Sequence, residues 1–147
     1  MGHDPKKVLS ATKVVPATPQ QIFDLLADPA QHPTIDGSGS VRKAQSSAPA
    51  RLSLGARFGM DMKIGVPYKI TNEVVEFDEP KQIGWRHFGG HIWRYILEPV
   101  DGGTRVTEQF DWNKSKSPLV LKLQGAFQKN QKSMEATLER LAAHFGG

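Results

Sequence analysis

His87 and Glu108 are the side chains best suited to move a proton in this sequence. Imidazole titrates near neutrality, and a carboxyl partly withdrawn from water can act as its partner. Each lies in a run with a two-residue period: His87 follows Ile83 and Trp85, and Glu108 sits between Val106 and Phe110. Each therefore shares a strand face with large apolar groups. Placed on neighbouring strands they could form a hydrogen-bonded acid/base couple. The structural alternative is an ion pair, with Glu108 held by Arg94 or Arg86. Tyr68, at the head of the set Tyr68, Ile70, Asn72 and Val74, is a third candidate for proton transfer. His32 and Asp36 form a close titratable pair on a Pro- and Gly-rich stretch, where they could gate a cavity mouth, orient a polar group or cap a turn. His91 sits at a hairpin turn and is expected in solvent.

Other chemistries are excluded or unsupported. The 147 residues include no cysteine, which removes disulfides, thiol catalysis and cysteine-based metal sites. The five histidines are dispersed, with no His-x-x-x-His and no Asp-rich loop, so no metal is expected. Gly37-Ser38-Gly39 and Gly102-Gly103 lack the strand-to-helix context of a phosphate-cradling loop. The residues around Ser38 break the Gly-x-Ser-x-Gly spacing of a serine nucleophile. No cofactor is expected.

The net charge of +4, from 19 basic and 15 acidic residues, is spread along the chain rather than concentrated in a stripe. Nucleic acid is not an expected partner. No apolar run reaches membrane-spanning length and no signal-peptide core opens the chain, so a cytoplasmic protein without membrane insertion is the expectation. A monomer or homodimer fits a chain of this size. With 38% hydrophobic and 23% charged residues it reads as one globular domain over 1–147.

The elements that must position these groups follow in order. Residues 7–15 alternate as a first strand that Pro16 ends. Thr18-Pro19-Gln20-Gln21 then starts a short helix, Thr18 capping free N–H groups and Pro19 at the tolerated first position. A turn of helix and an irregular loop follow through residue 40. Strand-like runs then come at 41–46, 57–64, 68–77, 82–88, 91–100 and 104–112, separated by Gly-, Pro- and Asp-rich turns. Consecutive hairpins imply a curved antiparallel sheet.

One long helix is predicted over residues 117–145, with Leu119, Val120, Leu123, Phe127, Met134, Leu138, Leu141 and Phe145 along one face. Gly125 lies inside that run, and Asn130 and Gln131 interrupt its apolar stripe. A helix lying over a cavity with a few inward polar groups could use both features. The plainer alternative puts Asn130 and Gln131 in solvent and makes Gly125 a tight packing contact. The architecture is α+β, a helix-grip: six to seven antiparallel strands wrapped around the terminal helix, with two short helices after the first strand.

Strand parity supplies the cavity wall. Phe58, Met60, Met62 and Ile64 would form a soft apolar side. Ile83, Trp85 and His87 share a face, as do Val106, Glu108, Phe110 and Trp112. On the strand between, either Trp93, Tyr95 and Leu97 or Ile92, Arg94 and Ile96 could point inward; Trp93 and Tyr95 are favoured. Ligand-lining candidates are therefore Met60, Met62, Tyr68, Trp85, His87, Trp93, Glu108, Phe110 and Trp112 from the sheet. The helix adds Phe127, Asn130, Gln131 and Met134. Plain core packing would account for any one of them. Together with His87, Glu108 and Asn72, which a dry core would have to satisfy, they suit a flat or greasy ligand.

The sequence resembles the START-like, or SRPBCC, superfamily of Bet v 1-type and polyketide cyclase/dehydrase-like proteins. The resemblance covers nearly the whole chain. It rests on the opening strand and Pro16-Ala17-Thr18-Pro19-Gln20-Gln21-Ile22-Phe23-Asp24-Leu25-Leu26-Ala27-Asp28. It continues in Val74-Val75-Glu76-Phe77-Asp78-Glu79-Pro80, Ile83-Gly84-Trp85-Arg86 and Gly103-Thr104-Arg105-Val106-Thr107-Glu108. It implies a deep cavity between sheet and terminal helix for a lipid-, polyketide- or sterol-like molecule. It also admits a polyketide cyclase, aromatase or dehydratase working by acid/base chemistry in that cavity.

Overall fold

β1 (Val8–Val15) runs into α1 (Pro19–Leu26), whose start is built as expected. The Thr18 side chain accepts from the Gln21 N–H while the Gln21 side chain accepts from the Thr18 N–H, a reciprocal cap of about 1 kcal/mol. Ile22, Phe23, Leu25 and Leu26 bury the apolar face of this eight-residue helix, which packing rather than length sustains. A short 3-10 turn (Pro29–Gln31), capped by the Asp28 side chain, leads into the single turn α2 (His32–Ile35). The computed structural model describes residues 7–37, 41–44, 49–64, 66–87, 90–115, 119 and 125–146.

Six further strands follow: β2 (Val41–Ala44), β3 (Arg57–Ile64), β4 (Val66–Asp78), β5 (Gln82–Arg86), β6 (Ile92–Val100) and β7 (Gly103–Asp111). All pair antiparallel in one seven-stranded sheet of order β1-β7-β6-β5-β4-β3-β2. The consecutive hairpins account for β2 to β7. The pairing of β1 with β7, Ala11 opposite Glu108, is the long-range closure. The terminal helix α3 (Ala126–His144) lies against the concave face, and Met134, Leu138, Leu141 and Ala142 are buried there.

The one continuous helix over 117–145 is corrected at Gly125. That glycine takes a left-handed backbone conformation, φ 66°, immediately before α3. A Cβ there would meet nothing within 4 Å, so Gly125 serves chain direction rather than close packing. Leu119 is helical but exposed; the other residues of 116–124 lie outside the described ones, as do Phe88, Gly89 and the end of the 41–46 run.

Gly37 makes the closest approach to α3. Its N–H donates to Thr137 Oγ1 at 2.8 Å, and a Cβ at that position would stand 2.5 Å from the Ala136 Cβ and the Thr137 nitrogen. Arg140 adds a bond to the Asp36 carbonyl at 3.0 Å. The loop after α2 is thereby fastened to the helix, closing one side of the space beneath it.

A cavity of neutral groups under the terminal helix

The helix and the sheet do not fill the space between them. A cavity of about 300 Å³ remains, at the lower end of the range of small-molecule pockets. β3 contributes Met60 and Met62, β4 Tyr68, Ile70 and Asn72, and β5 Trp85, with His87 just beyond its end. β6 contributes Trp93 and Tyr95, and β7 Glu108. α3 closes the top with Asn130, Ser133, Met134 and Thr137. Leu26, His32, Ile35, Asp36 and Val41 complete one side.

The β6–β7 register sets Tyr95 directly opposite Glu108. The Tyr95 hydroxyl acts on the Glu108 carboxyl across the ladder, while Glu108 Oε1 has no hydrogen-bond partner among the described residues. Burial is the main force on the carboxyl and raises its pKa to about 8. The Tyr95 hydroxyl opposes the rise and the Asp36 charge adds to it. Burial, then the neighbouring carboxyl, likewise pushes the Tyr95 phenol well above its ordinary value. Both groups are thereby held toward their neutral forms, with the Asp36 charge acting on each of them.

His32 is buried and lines the cavity. Its Nε2 lies 2.8 Å from the Leu26 carbonyl, which can only accept, so Nε2 carries the hydrogen and Nδ1 keeps a lone pair. Burial lowers its pKa, and the neutral ring stacks on Trp85 at 4.8 Å. Asp36 does line the cavity, and its Oδ2 accepts the Val41 N–H at 3.1 Å.

His91 is the second correction. The β5–β6 ladder extends past the strands through a bond from the His87 N–H to the His91 carbonyl. The two rings stack at 4.5 Å, 12° from parallel. His91 therefore lines the cavity half-buried instead of standing in solvent. Burial first and His87 second depress its pKa to about 4. Burial also lowers that of His87.

Of the residues expected to line a cavity, Met60, Met62, Tyr68, Trp85, His87, Trp93, Glu108, Asn130 and Met134 do so. Phe110, Trp112, Phe127 and Gln131 lie outside the lining. Phe110 is fully buried beside Trp93 at 4.7 Å. Trp112 packs on Phe127 at 4.7 Å, beyond the last residue of β7. Gln131 points the other way, donating to the Ser10 carbonyl at 3.0 Å on the edge strand β1.

The proposed His87–Glu108 couple is replaced by two pairs, Tyr95–Glu108 and His87–His91. The ion-pair alternative for Glu108 also goes, at least for Arg94: that guanidinium is on the other face, bonded to Glu76 at 2.6 Å and Asp111 at 3.1 Å. Ser133 and Thr137 were not anticipated, although they stand three and seven residues after Asn130, on the same helical face.

Comparison with known proteins now places the chain. A model of the family described as polyketide cyclase/dehydrase and lipid transport matches residues 7–146. The chain belongs to that family. It is 35% identical over 143 residues to the uncharacterized protein Rv0088 of Mycobacterium tuberculosis, covering 93% of this chain and 63% of that protein. It thus spans less than two thirds of that relative's length. Two solved structures share the fold. Protein CV1439 of Chromobacterium violaceum superposes with a TM-score of 0.71 at 17% identity, over 95% of this chain and 98% of its own. Protein Ms6760 of Mycobacterium smegmatis does so with a TM-score of 0.67 at 22% identity, over 97% and 96%. The SRPBCC-type helix-grip read from the sequence is therefore the fold of this family member.

Proposed function

We propose that this protein binds a small hydrophobic or aromatic molecule, lipid-, polyketide- or sterol-like, in the cavity under α3. The observation that carries this reading is the cavity wall itself. Three methionines, two tryptophans and aliphatic side chains provide apolar area, while Asn72, Tyr95, Glu108 and Asn130 provide a few directed polar groups. That mixture suits ligand capture better than a dry core, where each buried polar atom costs stability without return. The family description, which includes lipid transport, supports it.

Native mass spectrometry of protein purified from its native host tests the reading. A bound small molecule, released on denaturation, is the expected result. Absence of any adduct, together with no uptake of a neutral aromatic such as naphthalene, would overturn it.

A second reading, cyclase or dehydratase chemistry, is favoured by one observation. Burial raises the pKa of the Glu108 carboxyl to about 8 beside the Tyr95 phenol inside the cavity, the direction a proton donor to a ligand carbonyl needs. His87 and Tyr68 also line the cavity as the acid/base reading requires. Incubation with a poly-β-keto thioester separates the readings: accelerated loss of water or ring closure, abolished in Glu108→Gln, supports the enzyme, and unchanged substrate supports the binder.

A further inference from the structure

The cavity carries an electrical selection that its apolar walls do not explain. Among the described lining residues there is no lysine and no arginine. Basic residues are plentiful elsewhere, 19 in the chain, so their exclusion from this wall has a consequence. A ligand carboxylate or phosphate entering here would lose its water without gaining a cation, the costliest kind of burial. It would also meet Asp36, whose charge is already felt at Glu108.

The polar groups present are of a different kind. Glu108 Oε1 and Asn72 Oδ1 belong to wall residues and are buried, without hydrogen-bond partners among the described residues. An unpaired buried acceptor costs on the order of 1–3 kcal/mol, which a matching ligand group recovers. A neutral carboxyl and a carboxamide each donate and accept. A hydroxyl also does both, whereas a carboxylate can only accept.

We infer that Glu108, opposite Tyr95, is a specificity anchor that admits neutral, hydroxyl-bearing aromatic ligands and turns away organic anions. The ligand hydroxyl meets Glu108 through a small turn about its last side-chain torsion, which is soft. The flat body of the ligand lies among Met60, Trp85, Trp93 and Met134. The volume equals that of about ten waters, which suits a compact ring system of naphthol size rather than a long acyl chain. This inference rests on the ligand-binding reading above and refines it by charge and by functional group.

Equilibrium dialysis at neutral pH with naphthalene, naphthol and naphthoate tests it. Naphthol is expected to bind about ten-fold more tightly than naphthalene, the worth of one net hydrogen bond, and naphthoate more weakly than either. In Glu108→Leu, similar in volume, naphthol falls to the level that naphthalene shows in the same variant. In Glu108→Gln, which keeps an acceptor and a donor, the preference for naphthol persists within a few-fold. Naphthoate bound as tightly as naphthol, or a naphthol preference that survives in Glu108→Leu, overturns the anchor and leaves the cavity a binder of apolar molecules. Failure of all three probes ends both readings.

Discussion

Tyr95 stands directly opposite Glu108 in the β6–β7 register, and its hydroxyl acts on the Glu108 carboxyl inside the cavity. The pair leaves a signature in stability. With its pKa raised from 4.5 to about 8, Glu108 holds a proton in the folded protein that the unfolded chain releases between those values. Stability therefore falls as pH rises through that window, by up to a few kcal/mol. Thermal unfolding of Glu108→Gln across the same range is expected to lack this component. A wild-type slope retained in the variant would show that Glu108 is not the group responsible.

His91 acts at the opposite end of the pH scale. Its pKa is lowered from 6.5 to about 4, so below 6.5 the unfolded chain takes up a proton that the folded protein refuses. Stability is lost as pH falls through that interval, with His91 supplying roughly 2 kcal/mol. His91→Phe preserves an aromatic partner for His87 and Phe110 and should unfold less readily in acid. Urea midpoints at successive pH values, compared with wild type, read the difference directly.

On the outer face Arg94 ties together four strands, β4 to β7. It reaches Glu76 on β4 across Gly84 on β5, where a Cβ would stand 3.0 Å from the Glu76 carboxyl and 3.3 Å from the Arg94 Cβ. It also bonds Asp111, which is almost wholly buried. Arg94→Leu removes the cation from both carboxylates, leaving Gln82 on Glu76 and Asn113 on Asp111, and should cost about 3 kcal/mol. Calorimetry should also show part of that loss recovered in acid, where the abandoned carboxylates protonate. A loss below about 1 kcal/mol would mean water replaces the guanidinium without difficulty.

Gly37→Ala tests the fastening of α3. The new Cβ would overlap the helix backbone at Thr137, so the loop or the helix must shift at a cost of about 2 kcal/mol. Thr137→Val removes only the acceptor of the Gly37 N–H and should cost about 1 kcal/mol. Denaturant unfolding that ranks the two variants the other way would contradict the close approach.

Much of this molecule is legible from periodicity alone. Two-residue alternation marked the strands and grouped Met60 with Met62, Trp85 with His87, Trp93 with Tyr95 and Glu108 with Phe110, because a strand's side chains can only alternate; which of the two faces turned inward was left to the fold. Helical spacing found α3 and the buried Met134. Those are local regularities, and a local pattern survives any tertiary arrangement that respects it.

What the linear pattern could not decide was which inward residues meet. His87 and Glu108 looked like a couple because both point inward. The ladder instead set Tyr95 against Glu108 and His91 against His87, and register across strands is a long-range property. Phe127 and Gln131 left the lining for a related reason: a helix face has a width, and only its docking against β1 determined where the cavity side ended. The two-residue and helical periods, which act between neighbours in the chain, thus determined the faces. The closure of β1 on β7 and the docking of α3 through Gly37 act between residues a hundred positions apart, and only they decided what the enclosed groups could hold.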